Sequence, residues 1–175
     1  MKKTILLTGG ARSGKSTFAI ELAIKYGKNI TFMATCQALD TEMKKRIALH
    51  RRSRPKTWIT IEEAMDVPQA LRKMPAKSGA VIIDCLTLWV TNLLLAGKNE
   101  KTILSLVKAM AGAIKRSTFS IIIVANEVGS GIVPENKLAR DFRDIAGKAN
   151  QIIAQAVDEV FVMIAGIPLQ LKGRR

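Results

Sequence analysis

The run Gly9-Gly10-Ala11-Arg12-Ser13-Gly14-Lys15-Ser16 satisfies the spacing G-x-x-x-x-G-K-[ST]. Glycines at those places let backbone N–H groups close around phosphate oxygens, and a helix starting beyond them points its positive end at the same oxygens. Lys15 is then the group that reaches the β and γ phosphates, and the Ser16 hydroxyl is a Mg²⁺ ligand. Residue types and spacing together specify a nucleoside-triphosphate site, with Lys15 expected as an exposed phosphate ligand.

Asp84 closes the apolar run Ala80-Val81-Ile82-Ile83. An acid there holds Mg²⁺ in phosphate-loop proteins, directly or through water. An acid just ahead of a helix is also a cap, and the loop upstream favours the metal role. His50 is the only histidine. It shares a helix face with Met43 and Ile47. Lys44, Lys45, Arg46, Arg51, Arg52, Arg54 and Lys56 stand around it in the sequence. These cations oppose imidazolium formation and leave a neutral ring nitrogen able to act as a nucleophile. Spacing alone favours an ordinary polar helix residue, and both readings stay open at this point.

Cys36 ends a β-type run and is placed to line a site, whereas Cys85 reads as packing; neither has a metal-ligand partner at suitable spacing. Trp58 and Trp89 read as packing residues. The stretch from Asn126 to Gly131 follows a strand, where open α/β sheets place ligands, and reads equally as a connection.

These residues need elements to position them. Apolar β-type runs alternate with helical stretches, which is the pattern of a mostly parallel sheet with helices on both faces. Strands are expected at 4–8, 29–34, 80–84, 120–125, 159–164 and 169–172. Helices are expected at 15–26, from Asp40 to Arg54 ahead of Pro55, from an Asp66 cap through Lys73, at 86–95, at 102–116, and from after Pro134 to about Ala156. Phe18, Leu22 and Ala23 mark the inner face of the first helix. The last two strands, around a Gly166-Ile167-Pro168 turn, form an antiparallel edge hairpin.

Length and composition agree with one α/β domain spanning residues 1–175. No apolar run reaches the roughly 18–20 residues a membrane helix needs, and the first residues lead into a strand rather than a signal peptide. Two cysteines are too few for a disulfide scaffold, so the cytoplasm is the expected compartment. The formal charge of +14 suits either a nucleic-acid surface or a basic field that draws in small anions. Aromatics make up only 5% and no nucleic-acid motif accompanies the charge, which argues for small anions.

Taken together, the stretches Thr8 to Ser16, Met33 to Gln37, Asp40 to Pro55, Asp84 to Leu95, Asn126 to Asn136 and Arg140 to Gln151 resemble one family. It is the bifunctional adenosylcobinamide kinase/adenosylcobinamide-phosphate guanylyltransferase family of cobalamin biosynthesis. The R-I-x-x-H and N-E-V-G-x-G-I-V-P-E-N segments are its specific marks.

The resemblance implies a RecA-like P-loop fold, phosphorylation of adenosylcobinamide by a nucleoside triphosphate, and transfer of GMP from GTP to the product. GTP and Mg²⁺ are the implied cofactors, with ATP an alternative donor for the kinase step. His50 matches the position that carries GMP in a covalent intermediate. GTP contacts are implied for Ala34, Thr35, Cys36, Arg51, Arg52, Ser53, Arg54, Glu62 and Asp84, and the assembly implied is a homotrimer. The residues also leave open another P-loop kinase of a small hydroxyl substrate, or a RecA-like nucleic-acid-binding ATPase.

Overall fold

Strands that are apolar on both sides of the pleat bury both sets of side chains only at the centre of a sheet covered on two faces. The runs Thr4–Gly9, Ala80–Asp84 and Ser120–Val124 have that composition and take that place. The computed structural model describes residues 2–37, 41, 55, 57–75 and 78–173. Its elements are β1 (Thr4–Gly9), α1 (Lys15–Ile24), β2 (Ile30–Ala34), β3 (Ile59–Glu62), α2 (Val67–Arg72), β4 (Ala80–Asp84), α3 (Leu86–Leu95), α4 (Glu100–Arg116), β5 (Ser120–Val124), α5 (Lys137–Ala156), β6 (Glu159–Ile164) and β7 (Ile167–Lys172).

One seven-stranded sheet runs β3-β2-β4-β5-β1-β6-β7. All pairings are parallel except β6 with β7. Alternation sends Leu6, Val81, Ile83, Ile121 and Ile123 into one core with α2 to α5. Ile5, Leu7, Ile82, Ile122 and Val124 pack on the other face with Ala19, Leu22 and Ala23 of α1. Helices therefore cover both faces, and every described parallel strand ends at the same carboxyl edge.

Several boundaries fall where the sequence places them. The strands 80–84 and 159–164 and the helix 86–95 match residue for residue. Asp66 caps α2 by accepting from Gln69 N at 3.2 Å, with Pro68 in the first turn. Others differ. β3 has no counterpart among the expected strands. The helix at 102–116 starts at Glu100 because Asn99 caps it, accepting from Thr102 N at 2.9 Å. α5 starts at Lys137 behind a like cap by Asn136. α1 ends at Ile24, and Phe18 is half-buried with its ring edge-on to Phe161 at 5.7 Å.

The final turn is Ala165-Gly166, with φ of 51° and 83°, not Gly166 to Pro168. Two positive-φ residues close a two-residue hairpin, so the returning strand begins at Ile167. Pro168 lies within that edge strand, where one face needs no N–H donor. The helix expected from Asp40 to Arg54 lies outside the described residues.

Candidate functional site

β1 ends in Gly9, and the chain must then turn back over the strand end before α1 begins. Gly9 (φ 142°) and Gly14 (φ 94°) both lie in backbone space that favours glycine. Space excludes a side chain there as well. A Cβ on Gly9 would sit 2.5 Å from Met163 O, and one on Gly14 would sit 3.1 Å from Gly166 Cα. The tip of the β6–β7 hairpin braces the loop, with Gly166 N donating to Ser13 O at 3.1 Å. The crest formed by Gly10, Ala11 and Arg12 stays exposed, so backbone N–H groups remain open to a ligand.

Lys15 departs from expectation. It is 6% exposed rather than open to solvent. Its Nζ donates to Gly9 O at 3.0 Å, to Gly10 O at 2.5 Å and to Ser13 Oγ at 3.4 Å. The loop carbonyls thus solvate the ammonium in place of water. Burial lowers its pKa, and the nearby Asp84 charge opposes that shift.

Ser16, in the first turn of α1, points its hydroxyl across to β4, donating to Asp84 Oδ2 at 3.2 Å. A hydroxyl and a carboxylate this close, beside a phosphate loop, are the oxygen donors Mg²⁺ takes together with phosphate oxygens. Among the described residues no three His, Cys, Asp or Glu side chains form a metal-binding group. Strand register brings Glu62, Ala34 and Asp84 side by side at the carboxyl edge.

Thr35 is fully committed within the protein. Its Oγ1 donates to Cys85 O at 2.7 Å and accepts from Cys85 N at 2.8 Å. Its N–H bonds Asp84 O at 3.1 Å, and its carbonyl accepts from Asn92 Nδ2 at 2.7 Å. Thr35 thereby fixes the Asp84–Cys85 peptide, which is cis. Cys85 is buried, and burial, followed by the Asp84 charge, pushes its thiol up to about 12. It stays a thiol and packs, as its sequence position suggests. Trp89 is also a packing residue, fully buried with its indole N–H on Met65 O at 2.9 Å. Trp58 packs against the α1-side core, and Cys36 is half-buried just past β2.

The loop from Asn126 to Asn136 rises beside the phosphate loop. Glu127 N donates to Gly9 O at 3.0 Å, and Asn126 N donates to Thr87 Oγ1 at 2.6 Å. Among the described residues two polar atoms are buried without a partner, Thr8 Oγ1 at the end of β1 and Arg143 Nη1 on α5. Both residues, like Thr87 and Asn92, lie in the family-like stretches, but no motif assigns any of the four a role. The roles of Thr87 and Asn92 depend on partners far along the chain, and no local spacing encodes that. His50, Arg51, Arg52, Ser53 and Arg54 lie outside the described residues.

The sequence model of the cobinamide kinase / cobinamide phosphate guanyltransferase family matches residues 5–171. The chain is 42% identical over 180 residues to the bifunctional adenosylcobalamin biosynthesis protein CobU of Salmonella typhimurium, covering 96% of this chain and 99% of that one. It is 41% identical over 168 residues to the bifunctional adenosylcobalamin biosynthesis protein CobP of Pseudomonas aeruginosa, covering 96% of each. Among solved structures, the KaiC-like protein PH0186 of Pyrococcus horikoshii superposes with a TM-score of 0.56 at 16% identity, over 99% of this chain and 80% of that one. The RadB recombinase superposes at 0.52 and 13% identity, over 91% and 73%. Identities this low speak for the fold alone, and they agree with the phosphate-loop sheet described above. The match along almost the whole chain goes further: this protein belongs to the cobinamide kinase / cobinamide phosphate guanyltransferase family.

Proposed function

We propose that this protein carries out two successive transfers in cobalamin biosynthesis. In the first, the aminopropanol hydroxyl of adenosylcobinamide attacks the γ-phosphorus of a nucleoside triphosphate, the diphosphate leaves, and the hydroxyl proton is released. In the second, a neutral His50 nitrogen attacks the α-phosphorus of GTP and pyrophosphate leaves. A phosphate oxygen of adenosylcobinamide phosphate then displaces the histidine, giving adenosylcobinamide-GDP. Splitting the transfer in two holds GMP on the protein until its acceptor arrives.

The observation that carries this reading is Lys15, Ser16 and Asp84 gathered on one carboxyl edge beside an exposed loop crest, in a chain of this family. Lys15 and the backbone N–H groups from Gly9 to Ser16 cradle the phosphates and stabilise charge as the bonds break. Mg²⁺, held by Ser16 and Asp84 with the phosphate oxygens, supplies charge neutralisation when bound. Ala34, Cys36 and Glu62 flank the nucleotide, Thr35 positions Asp84, and Arg51, Arg52, Ser53 and Arg54 offset triphosphate charge. Residues 1–175 act as one domain, assembled as a homotrimer in the cytoplasm. No helix among the described residues is long and apolar enough to cross a membrane.

The test is incubation with Mg²⁺-GTP alone, followed by intact-protein mass. The wild type should gain one GMP, labelled from the α and not the γ phosphate, and the bond should be labile to acid and stable to base. His50→Ala should lose the adduct and guanylyl transfer while keeping kinase turnover. A wild type that phosphorylates adenosylcobinamide but never gains GMP would reduce the protein to a kinase with an incidental histidine.

A further inference from the structure

α5 carries a cation at the carboxyl edge that the two transfers above leave unused. Arg143 is half-buried, and its Nη1 is shut off from solvent with no hydrogen-bond partner among the described residues. Native structures pair such groups, and an exception calls for a water, an ion or a ligand at that place.

Its location follows from the helix. Asn150 lies two turns farther along the same stripe of α5, and its Nδ2 donates to Asn126 O at 3.3 Å. That stripe therefore faces the end of β5. Arg143 stands roughly 10 Å farther out along the helix axis, past the strand ends. Arg140, a turn beyond, holds the neighbouring loop down by donating to Pro134 O at 3.0 Å and to Glu135 O at 2.5 Å. The root of this loop is tied to the phosphate loop through Glu127 N and Gly9 O. Beyond the root, Ile132 and Val133 turn outward, 96% and 61% exposed. A half-buried cation and an apolar lip thus lie on one side of the phosphate loop.

Resting on the two-transfer reading, we propose that Arg143 binds the phosphate of adenosylcobinamide phosphate, with Ile132 and Val133 along the apolar body of the same acceptor. The chemistry of the two steps asks for such a group. The acceptor of the first step is an uncharged alcohol at its reacting end. The acceptor of the second is a phosphate monoester, an anion of charge about −1.5 to −2. Lys15 and the loop already serve the donor phosphates. A second anion brought beside them needs its own counter-charge, or repulsion opposes the attack. A guanidinium suits the task, since its planar fork meets two phosphate oxygens at once. Arg143 binds and orients here and transfers no proton.

The experiment compares wild type, Arg143→Gln and Arg143→Lys as full chains with matched melting temperatures. Equilibrium binding of adenosylcobinamide phosphate and of adenosylcobinamide is measured without nucleotide, then KM and kcat in each reaction. Arg143→Gln should weaken the phosphate acceptor about tenfold or more and raise its KM to match, while shifting the alcohol acceptor less than about twofold. Arg143→Lys should recover part of the loss. If Arg143→Gln does not fold, the lysine variant reads the same ratio of the two acceptors. Equal weakening of both acceptors, or of neither, would overturn the proposal and leave an arginine whose buried nitrogen meets water. The binding arm does not depend on His50. A wild type that fails to gain GMP would defeat the histidine route, while phosphate-selective loss at Arg143 would still stand.

Discussion

Lys15 shows how a residue legible in sequence can still surprise in its setting. Its type and place follow from the loop spacing, but its burial against Gly9 and Gly10 carbonyls does not, because loop carbonyl directions are set by the glycine dihedrals. The consequence is a pH dependence. Burial lowers the pKa, so the ammonium loses its proton at a lower pH than an ordinary lysine would. A triphosphate favours the charged form, and its binding draws a proton back. Nucleotide affinity should therefore be full below the lowered pKa and fall as pH rises through it. Lys15→Ala should bind nucleotide roughly 10- to 100-fold more weakly and show no such inflection. Lys15→Arg keeps its charge through this range and should also lack the inflection. Titration calorimetry across alkaline pH checks all three, and an inflection that survives in Lys15→Ala would assign it to another group. Asp84 was readable as a metal ligand or a cap. In the structure Cys85 Sγ, not Asp84, caps α3 by accepting from Leu88 N, and Asp84 accepts from Ser16 instead.

At the scale of elements, the glycines of one loop separate into two kinds. Gly9 has a positive φ and a backbone oxygen 2.5 Å from where a Cβ would go, whereas nothing lies within 4 Å of a Cβ on Gly10. Gly9→Ala should cost about 2 kcal/mol or more, since β1 and β6 must part to admit it. Gly10→Ala should leave thermal stability within about 0.5 kcal/mol. Equal melting temperatures would mean the loop root shifts freely. The element boundaries that the sequence revealed are those with a sharp local cause. β4 and β6 are bounded by acids and turns, and α2 by Asp66. β3 is not legible in the sequence although Ile59, Thr60, Ile61 and Glu62 alternate, because its short run is mostly exposed at a sheet edge and lacks the apolar continuity of the central strands. The tie from Thr35 to Cys85 and Asn92 spans 50 and 57 residues, a separation at which no sequence period operates.

The whole molecule carries 28 lysines and arginines against 14 acids, and most of that excess cannot touch a single nucleotide. Charges beyond contact act through the long-range field, which accelerates the encounter with anions such as GTP but adds little once the complex has formed. Salt separates the two effects. The screening length falls from about 30 Å at 0.01 M to about 10 Å at 0.1 M and about 3 Å at 1 M, so a field from distant cations should vanish over that range. Short bonds from the loop N–H groups and Lys15 should persist. Stopped-flow measurement with GTP should therefore show the association rate falling several-fold as salt rises, with the dissociation rate nearly constant. A salt effect carried mainly by dissociation would instead place many cations directly on the phosphates. The same titration with a single-stranded oligonucleotide tests the remaining use of the charge. A protein reserved for small anions should hold the oligonucleotide weakly and release it at moderate salt. Binding as tight as that of GTP, with a steep salt slope, would mean the basic surface is shaped for a phosphate backbone.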